Sequence, residues 1–174
     1  MQSSSKAEPA IYPRWLVLFL VLALTGLTTA CTPSTAKAKN LGSLEEISYE
    51  YGSFHSGYWS YELKKSVPGP APTDQTQISF QAQGMNGVDM DIDTIVESSV
   101  LADLEDIIMQ HNIISWNGFK ESDSDILDGF DFSLKARFSN GSIIASGYML
   151  YPPNWDQGHQ ALSEYLQELA NAHS

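Results

Sequence analysis

The strongest constraint on the fold is a pair of alternating apolar and polar runs on either side of Asn140-Gly141. Asn-Gly favours a two-residue type I′ turn, because both residues tolerate the positive φ that this turn needs. A turn at this dipeptide predicts a hairpin with one wholly apolar face, and a slip of one residue would turn every side chain to the other face. The predicted pairs are Phe138 with Ile143, Ala136 with Ala145, Leu134 with Gly147, Phe132 with Met149 and Phe130 with Tyr151.

A second hairpin is predicted nearer the start of the chain. Every second residue is apolar on both sides of a turn that is rich in glycine and serine, a pattern typical of half-buried strands. The predicted pairs are Tyr51 with Trp59, Tyr49 with Tyr61 and Ile47 with Leu63. A third strand follows, with Ile78, Phe80 and Ala82 on its core face.

Helical spacing of apolar residues indicates two helices. The first is predicted from Asp93 or Thr94 to about Asn112, with Asp93 as its N-cap. The second follows Pro152-Pro153, where Asn154 and Gln157 fit a capping box. The elements together predict one α+β domain over residues 44–174. Its antiparallel sheet has about five strands (hairpin, strand, hairpin), and two helices pack on one face of it.

The start of the chain has the pattern of an export signal. An uncharged apolar run, Trp15 to Leu27, follows Lys6 and Arg14. Such a run fits the roughly 7–15 residues of a signal-peptide core and falls short of the ~20 residues of a membrane-spanning helix. Thr28-Thr29-Ala30 then precedes Cys31, the one cysteine of the chain. The order resembles a bacterial lipobox, which implies cleavage before Cys31 and a lipid on its sulfur. The alternatives are an uncleaved anchor and an ordinary secretory signal that is cut after Ala30.

The interpretation as a lipobox predicts an extracytoplasmic protein on the outer face of the bacterial membrane. Residues 1–30 would be the signal peptide, and residues 31–43 the lipidated Cys31 with a flexible tether. Two acyl chains, palmitate among them, are enough for stable anchoring. The membrane is therefore the first expected partner. A formal net charge of −12 should repel nucleic acid, so we expect no nucleic-acid partner.

Acidic motifs in the sequence fail the patterns of metal sites. Asp89, Asp91 and Asp93 begin like a calcium loop, but Thr94 stands at the sixth position instead of glycine, and Val100 at the twelfth instead of glutamate. Two further acidic motifs, Ser122–Asp125 and Asp128-Gly129, are explained equally well by Asx turns. The four histidines lack metal-ligand spacing. We therefore expect neither a metal nor a cofactor.

Catalytic motifs give no assignment either. The sequence holds no Gly-x-Ser-x-Gly elbow around a serine and no phosphate-binding loop. Carboxylates that are distant in sequence can still meet in the fold. A small cell-envelope hydrolase built on such carboxylates is therefore the alternative to a protein without enzymatic activity.

Aromatic residues outside the core pattern are the candidate binding residues. Phe54 and Tyr58 fall off the buried parity of the first hairpin, near its tip and beside His55. Trp116 and Phe119 form a second cluster after the first helix, where the alternative is a plug at the sheet edge. Exposed rings on loops give a large contact area at a low entropic cost. We therefore expect a non-enzymatic binding or interaction module with a glycan or peptide ligand.

Several local motifs carry a resemblance to a group of bacterial proteins. They are Tyr49–Tyr61, Trp116-Asn117-Gly118-Phe119, Asp128-Gly129, and Gly147 followed by Tyr151-Pro152. In these motifs the chain resembles small, uncharacterised lipoproteins of Gram-positive gut bacteria. The resemblance implies the lipoprotein class and adds no catalytic residue.

Overall fold

Seven strands form one sheet in the computed structural model, which describes residues 41–65 and 77–174. The elements are β1 (Leu44–Ser53), β2 (Gly57–Lys65), β3 (Ile78–Met85), β4 (Asp91–Val96), α1 (Ser99–Gln110), β5 (Lys120–Ser122), β6 (Asp131–Phe138), β7 (Gly141–Tyr148) and α2 (Trp155–Asn171). A short 3₁₀ turn, Ile113–Trp116, follows α1. The predicted signal peptide, Cys31 and most of the tether lie outside the described residues. Within the described ranges, no helix combines the length and hydropathy needed to cross a membrane.

The strand order across the sheet is β4-β3-β2-β1-β6-β7-β5. Neighbouring strands are antiparallel with one exception, because β5 runs parallel to β7. The prediction of an α+β domain is confirmed. The prediction of a purely antiparallel sheet with about five strands is wrong, since the sheet has seven strands and is mixed.

The first hairpin and the third strand have the predicted register. Tyr51 pairs with Trp59, Tyr49 with Tyr61 and Ile47 with Leu63. The predicted core residues of β3, Ile78, Phe80 and Ala82, are fully buried. Burial alternates along all three strands because one face of the sheet is covered and the other is open.

The second hairpin is formed, but its register differs from the prediction by two residues. Phe138 pairs with Gly141, so that the two-residue turn is Ser139-Asn140, and no residue of the turn has a positive φ. The segment before β1 holds this turn, because Ser139 N donates to Ser43 O at 2.9 Å and Asn140 N donates to Leu41 O at 2.8 Å. A shift of two residues preserves the side-chain parity, so the predicted apolar face remains the buried one.

The first helix begins later than predicted. Residues 91–96, assigned in part to the helix, form β4, which pairs with β3. Ile92 and Val96 are buried on the core side of β4, whereas Asp93 is an exposed strand residue and not an N-cap. The N-cap of α1 is Ser98. Acidic side chains on this edge strand also discourage pairing with other chains.

The second helix begins where it was predicted, but without the predicted capping box. Asn154 is the N-cap of α2 in a left-handed conformation, with φ of 59°, and its side chain makes no capping hydrogen bond. The buried stripe of the helix includes Trp155, Leu162 and Leu166. Packing of this stripe, rather than the cap, therefore positions the helix.

Both helices contribute to one core with the covered face of the sheet. Polar contacts hold α2 against β1: Tyr49 Oη lies 2.6 Å from His159 Nδ1, and Gln167 donates to Tyr51 Oη at 2.8 Å. Burial lowers the pKa of the half-buried His159, which favours the neutral imidazole beside Tyr49. Tyr165 donates to Asp103 at 3.0 Å and joins the two helices.

Candidate functional site

The face of the sheet that points away from the helices carries two rows of side chains that cross six strands. The first row, given by the strand register, is Gln83, Ser60, Glu50, Ser133, Ser146 and Lys120. The second row is Met85, Tyr58, Gly52, Asp131, Tyr148 and Ser122. We call this side of the sheet the open face.

The two rows line a groove of about 790 Å³. Its floor consists mainly of small polar side chains, the half-buried Ser60, Ser133 and Ser146. Tyr58 and Tyr148, both half-buried, stand on either side of Asp131 in the second row. Because Gly52 has no side chain, the row is open between Tyr58 and Asp131. The groove therefore combines two aromatic walls with a polar floor.

Two carboxylates occupy the middle of the groove. Glu50 on β1 pairs with Ser133 on β6, and Asp131 lies two residues before Ser133. The two carboxylates are therefore diagonal neighbours on the same face of adjacent strands. Ser60 donates a long hydrogen bond of 3.5 Å to Glu50. In the described part of the chain, no Lys, Arg or His nitrogen lies within 4.0 Å of either carboxylate. The pair thus lacks an internal counter-charge.

The other end of the open face is organised differently. Arg137 forms ion pairs with Glu45 and with Glu46, and Lys64 lies 3.9 Å from Glu46. Acidic and basic side chains therefore compensate one another there. Glu50 and Asp131 in the groove have no such ion pair among the described residues.

The charges of the groove affect its titratable groups. Partial burial raises the pKa of Asp131, and repulsion from the Glu50 carboxylate raises it further. Burial also raises the pKa of Tyr58, and the negative charge of Asp131 adds to this effect. The pKa values of Asp131 and Tyr58 are therefore raised for the same two reasons, partial burial and a neighbouring carboxylate.

Tyr148 is fixed in place by the loop that precedes β6. Its hydroxyl donates to Ile126 O at 2.9 Å and accepts a hydrogen bond from Gly129 N at 2.7 Å. The same loop contains one of the predicted Asx turns, in which Asp125 N donates to Asp123 Oδ1 at 3.1 Å. One aromatic wall of the groove is therefore preorganised before any ligand binds.

The predicted binding residues of the first hairpin fall into two places. Phe54 is 67% exposed at the tip, where its ring contacts His55 edge-on with centroids 5.6 Å apart. His55 Nε2 lies 3.7 Å from Asp128 Oδ2. Tyr58 instead lies in the groove. The structure therefore separates Tyr58 from the other two candidates.

The second predicted cluster belongs to the core. Trp116 is completely buried, its indole N–H donates to Pro153 O at 3.0 Å, and its ring lies 5.1 Å from that of Trp155. Phe119 is half-buried and packs against Phe132 with ring centroids 6.2 Å apart. Trp116 therefore has no exposed surface for a ligand and Phe119 has only part of its ring exposed, which favours the alternative of a structural plug for this cluster. The physical reason is that the 3₁₀ turn after α1 directs Trp116 beneath α2.

Sequence reasoning missed Glu50, Asp131 and Tyr148 as members of the groove. A usable signal existed for Tyr148, which is an aromatic residue off the core parity of its strand, as Tyr58 is. For the two carboxylates no local signal existed, because their proximity depends on the pairing of β1 with β6.

Within the described ranges, no group of three or more His, Cys, Asp or Glu side chains is arranged to hold a metal ion. Comparison of the chain with protein-family models, with curated proteins and with solved structures gives no match. Arguments about function therefore rest on the groove and on the sequence.

Proposed function

We propose that this protein is a lipid-anchored, extracytoplasmic binding module whose ligand, a glycan or a peptide, occupies the groove on the open face. The observation that carries this proposal is the placement of Tyr58 and Tyr148 on either side of an uncompensated carboxylate. Sites for small ligands typically measure about 300–1,000 Å³ and join apolar walls to a few polar groups. The groove, at about 790 Å³, meets both criteria.

The position of the groove along the strands supports the proposal. The rows that line it lie near the end of β1 that is distant from Leu44, next to the hairpin tip. At about 3.3 Å per residue, the length of β1 separates the two ends by about 30 Å. The predicted tether precedes Leu44, so the groove and Phe54 lie at the opposite end of β1 from the point where the tether would join the domain.

The anchoring part of the proposal depends on Cys31. Replacing Cys31 with Ala should remove the lipid, because no other thiol exists in the chain, and shift the protein out of the membrane fraction. Fractionation of cells grown with labelled palmitate measures both effects. Continued palmitate labelling and membrane recovery of the variant would contradict the proposal.

The binding part is tested by a glycan and peptide array probed with the purified protein. We expect Tyr58→Ala to weaken binding of any positive ligand about tenfold, which corresponds to about 1.4 kcal/mol and to the loss of one aromatic contact. The matched control is Ile95→Ala, which truncates a side chain that is 50% exposed on the edge strand β4. Equal losses in both variants would show that the ligand binds elsewhere.

A hydrolase is the second candidate, and one observation favours it. Asp131 and Glu50 lie on neighbouring strands of one face, and burial and the Glu50 charge raise the pKa of Asp131; enzymes that cleave glycosides also use two carboxylates in unequal environments. The open groove and the exposure of Glu50 favour binding over catalysis. Turnover of an array ligand by the wild type, abolished in Asp131→Asn, would reverse this preference.

A further inference from the structure

We infer that the ligand of the groove is a basic peptide segment, with one Lys or Arg side chain held between the tyrosine rings and its positive charge on Glu50 and Asp131. The inference rests on the proposed function and specifies its ligand class. It is carried by charge complementarity, by the aromatic walls and by the shape of the groove.

The charges in the groove are strongly unequal. Its lining contains three carboxylates, Glu50, Glu121 and Asp131, and a single basic side chain, Lys120. Lys120 lies on β5 at the sheet edge, three strands away from β1 and two from β6. With strands about 4.8 Å apart, those separations are about 14 Å and 10 Å. Lys120 forms no ion pair with Glu50 or Asp131, so the charge of the central pair is open to a ligand cation.

A cation would also relieve a repulsion that the unliganded groove contains. Glu50 and Asp131 lie on the same face of neighbouring strands, and repulsion from the Glu50 carboxylate adds to burial in raising the pKa of Asp131, so the two negative charges destabilise each other. A bound ammonium or guanidinium attracts both carboxylates, whereas a neutral sugar leaves the repulsion in place. A guanidinium can also donate several hydrogen bonds at once to a pair of carboxylates.

The tyrosines suit the same ligand. A cation within about 6 Å of an aromatic ring is attracted by its negative face, and the attraction is larger in partly desolvated sites. Tyr58 and Tyr148 are half-buried and stand on both sides of Asp131. A basic side chain that reaches Asp131 therefore passes between two rings, and its aliphatic part gains apolar contact.

The extent of the groove favours a peptide over a single amine. The lining crosses six strands, from Gln83 on β3 to Lys120 on β5. This width exceeds one side chain, and the serine hydroxyls of the floor can bind the peptide backbone. The Lys120 end of the groove would accept an acidic or neutral neighbour of the basic residue.

The test measures binding of a fluorescein-labelled hexa-arginine peptide to the full-length protein by fluorescence anisotropy. Glu50→Gln with Asp131→Asn should weaken binding at least tenfold. The control double variant, Asp93→Asn with Glu168→Gln, removes the same charge from exposed positions outside the groove, and should change the affinity less than twofold. Equal weakening in both would reduce the binding to net charge and overturn the inference.

Further arms separate this inference from the proposed function. The single variant Glu50→Gln, at an exposed position, should weaken hexa-arginine binding without affecting folding. If cellohexaose binds, hexa-arginine does not, and Tyr58→Ala weakens the cellohexaose complex, then the groove is a binding site but its ligand class is wrong. If Tyr58→Ala leaves the binding of both probes unchanged, or neither probe nor any array ligand binds, both proposals fail.

Discussion

Replacing Phe132 with alanine is expected to lower the free energy of unfolding by about 3–5 kcal/mol, the range for large aromatic truncations in a core. Phe132 is only 3% exposed. Its ring centroid lies 4.2 Å from that of Trp155, 6.1 Å from that of Trp116 and 6.4 Å from that of Tyr151. Its cross-strand partner on β7 is Gly147, which has no side chain to refill the space, and its partner on β1 is Tyr51, which is itself buried in the core. The cavity left by the truncation should therefore persist.

Chemical denaturation of the variant measures this loss, and the control is the double variant Phe54→Ala with Tyr58→Ala. Phe54 is 67% exposed and Tyr58 half-buried on the open face, so the double variant should cost less than half as much. If the double variant lost as much stability as Phe132→Ala, the two rings would belong to the core. The argument for a ligand surface at Tyr58 would then fail.

The feature of the fold that the sequence predicts best is which face of each hairpin is buried. Both hairpins bury the predicted faces, because alternation along a strand sets which side chains meet the core. The register of the second hairpin was not predictable from Asn140-Gly141 alone. The turn there also bonds to Ser43 and Leu41, and such tertiary contacts outweigh the local preference of a dipeptide.

The two strands that the predicted sheet of about five strands does not include, β4 and β5, have different explanations. Residues 91–96 alternate like a strand but run directly toward a helix, and their acidic side chains also suit a helix start. These residues form a strand because they pair with β3. Strand β5 has three exposed residues and no apolar alternation. Its parallel pairing with β7 is set by the preceding turn, where Gly118 N donates to Ile144 O at 2.9 Å.

The candidate site was predictable only in part, because it too depends on which strands pair. Tyr58 could be identified because a local pattern, an aromatic residue off parity, marks it. The groove itself requires the order of six strands, and Glu50 meets Asp131 only because β1 pairs with β6. Trp116 was a candidate binding residue because it lies in a predicted loop, yet it is the largest fully buried side chain among the described residues.

Trp116→Ala is expected to destabilise the protein by about 3–5 kcal/mol as well. The indole is completely buried and donates to Pro153 O at 3.0 Å. Removing it would empty the space between the 3₁₀ turn and α2 and leave the Pro153 carbonyl without this donor. Trp116→Phe keeps most of the volume and loses the hydrogen bond, so it should cost less than Trp116→Ala. Thermal and chemical denaturation of the two variants would separate packing from hydrogen bonding.

A double-mutant cycle with Gly158 tests the same packing from the side of α2. Glycine to alanine inside a helix ordinarily stabilises by about 1 kcal/mol. At Gly158 a Cβ atom would lie 2.5 Å from Trp116 Cζ2 and 3.1 Å from Ile113 Cγ1. We therefore expect Gly158→Ala to destabilise the wild type by about 1–3 kcal/mol, because the site is already full.

In the Trp116→Ala background the clash with the indole is absent, and the added methyl group fills part of the cavity. Gly158→Ala should then be neutral or stabilising, which gives a favourable coupling energy between the two sites. Strictly additive losses would mean that the indole does not occupy the space beside Gly158, which would contradict the packing described for Trp116.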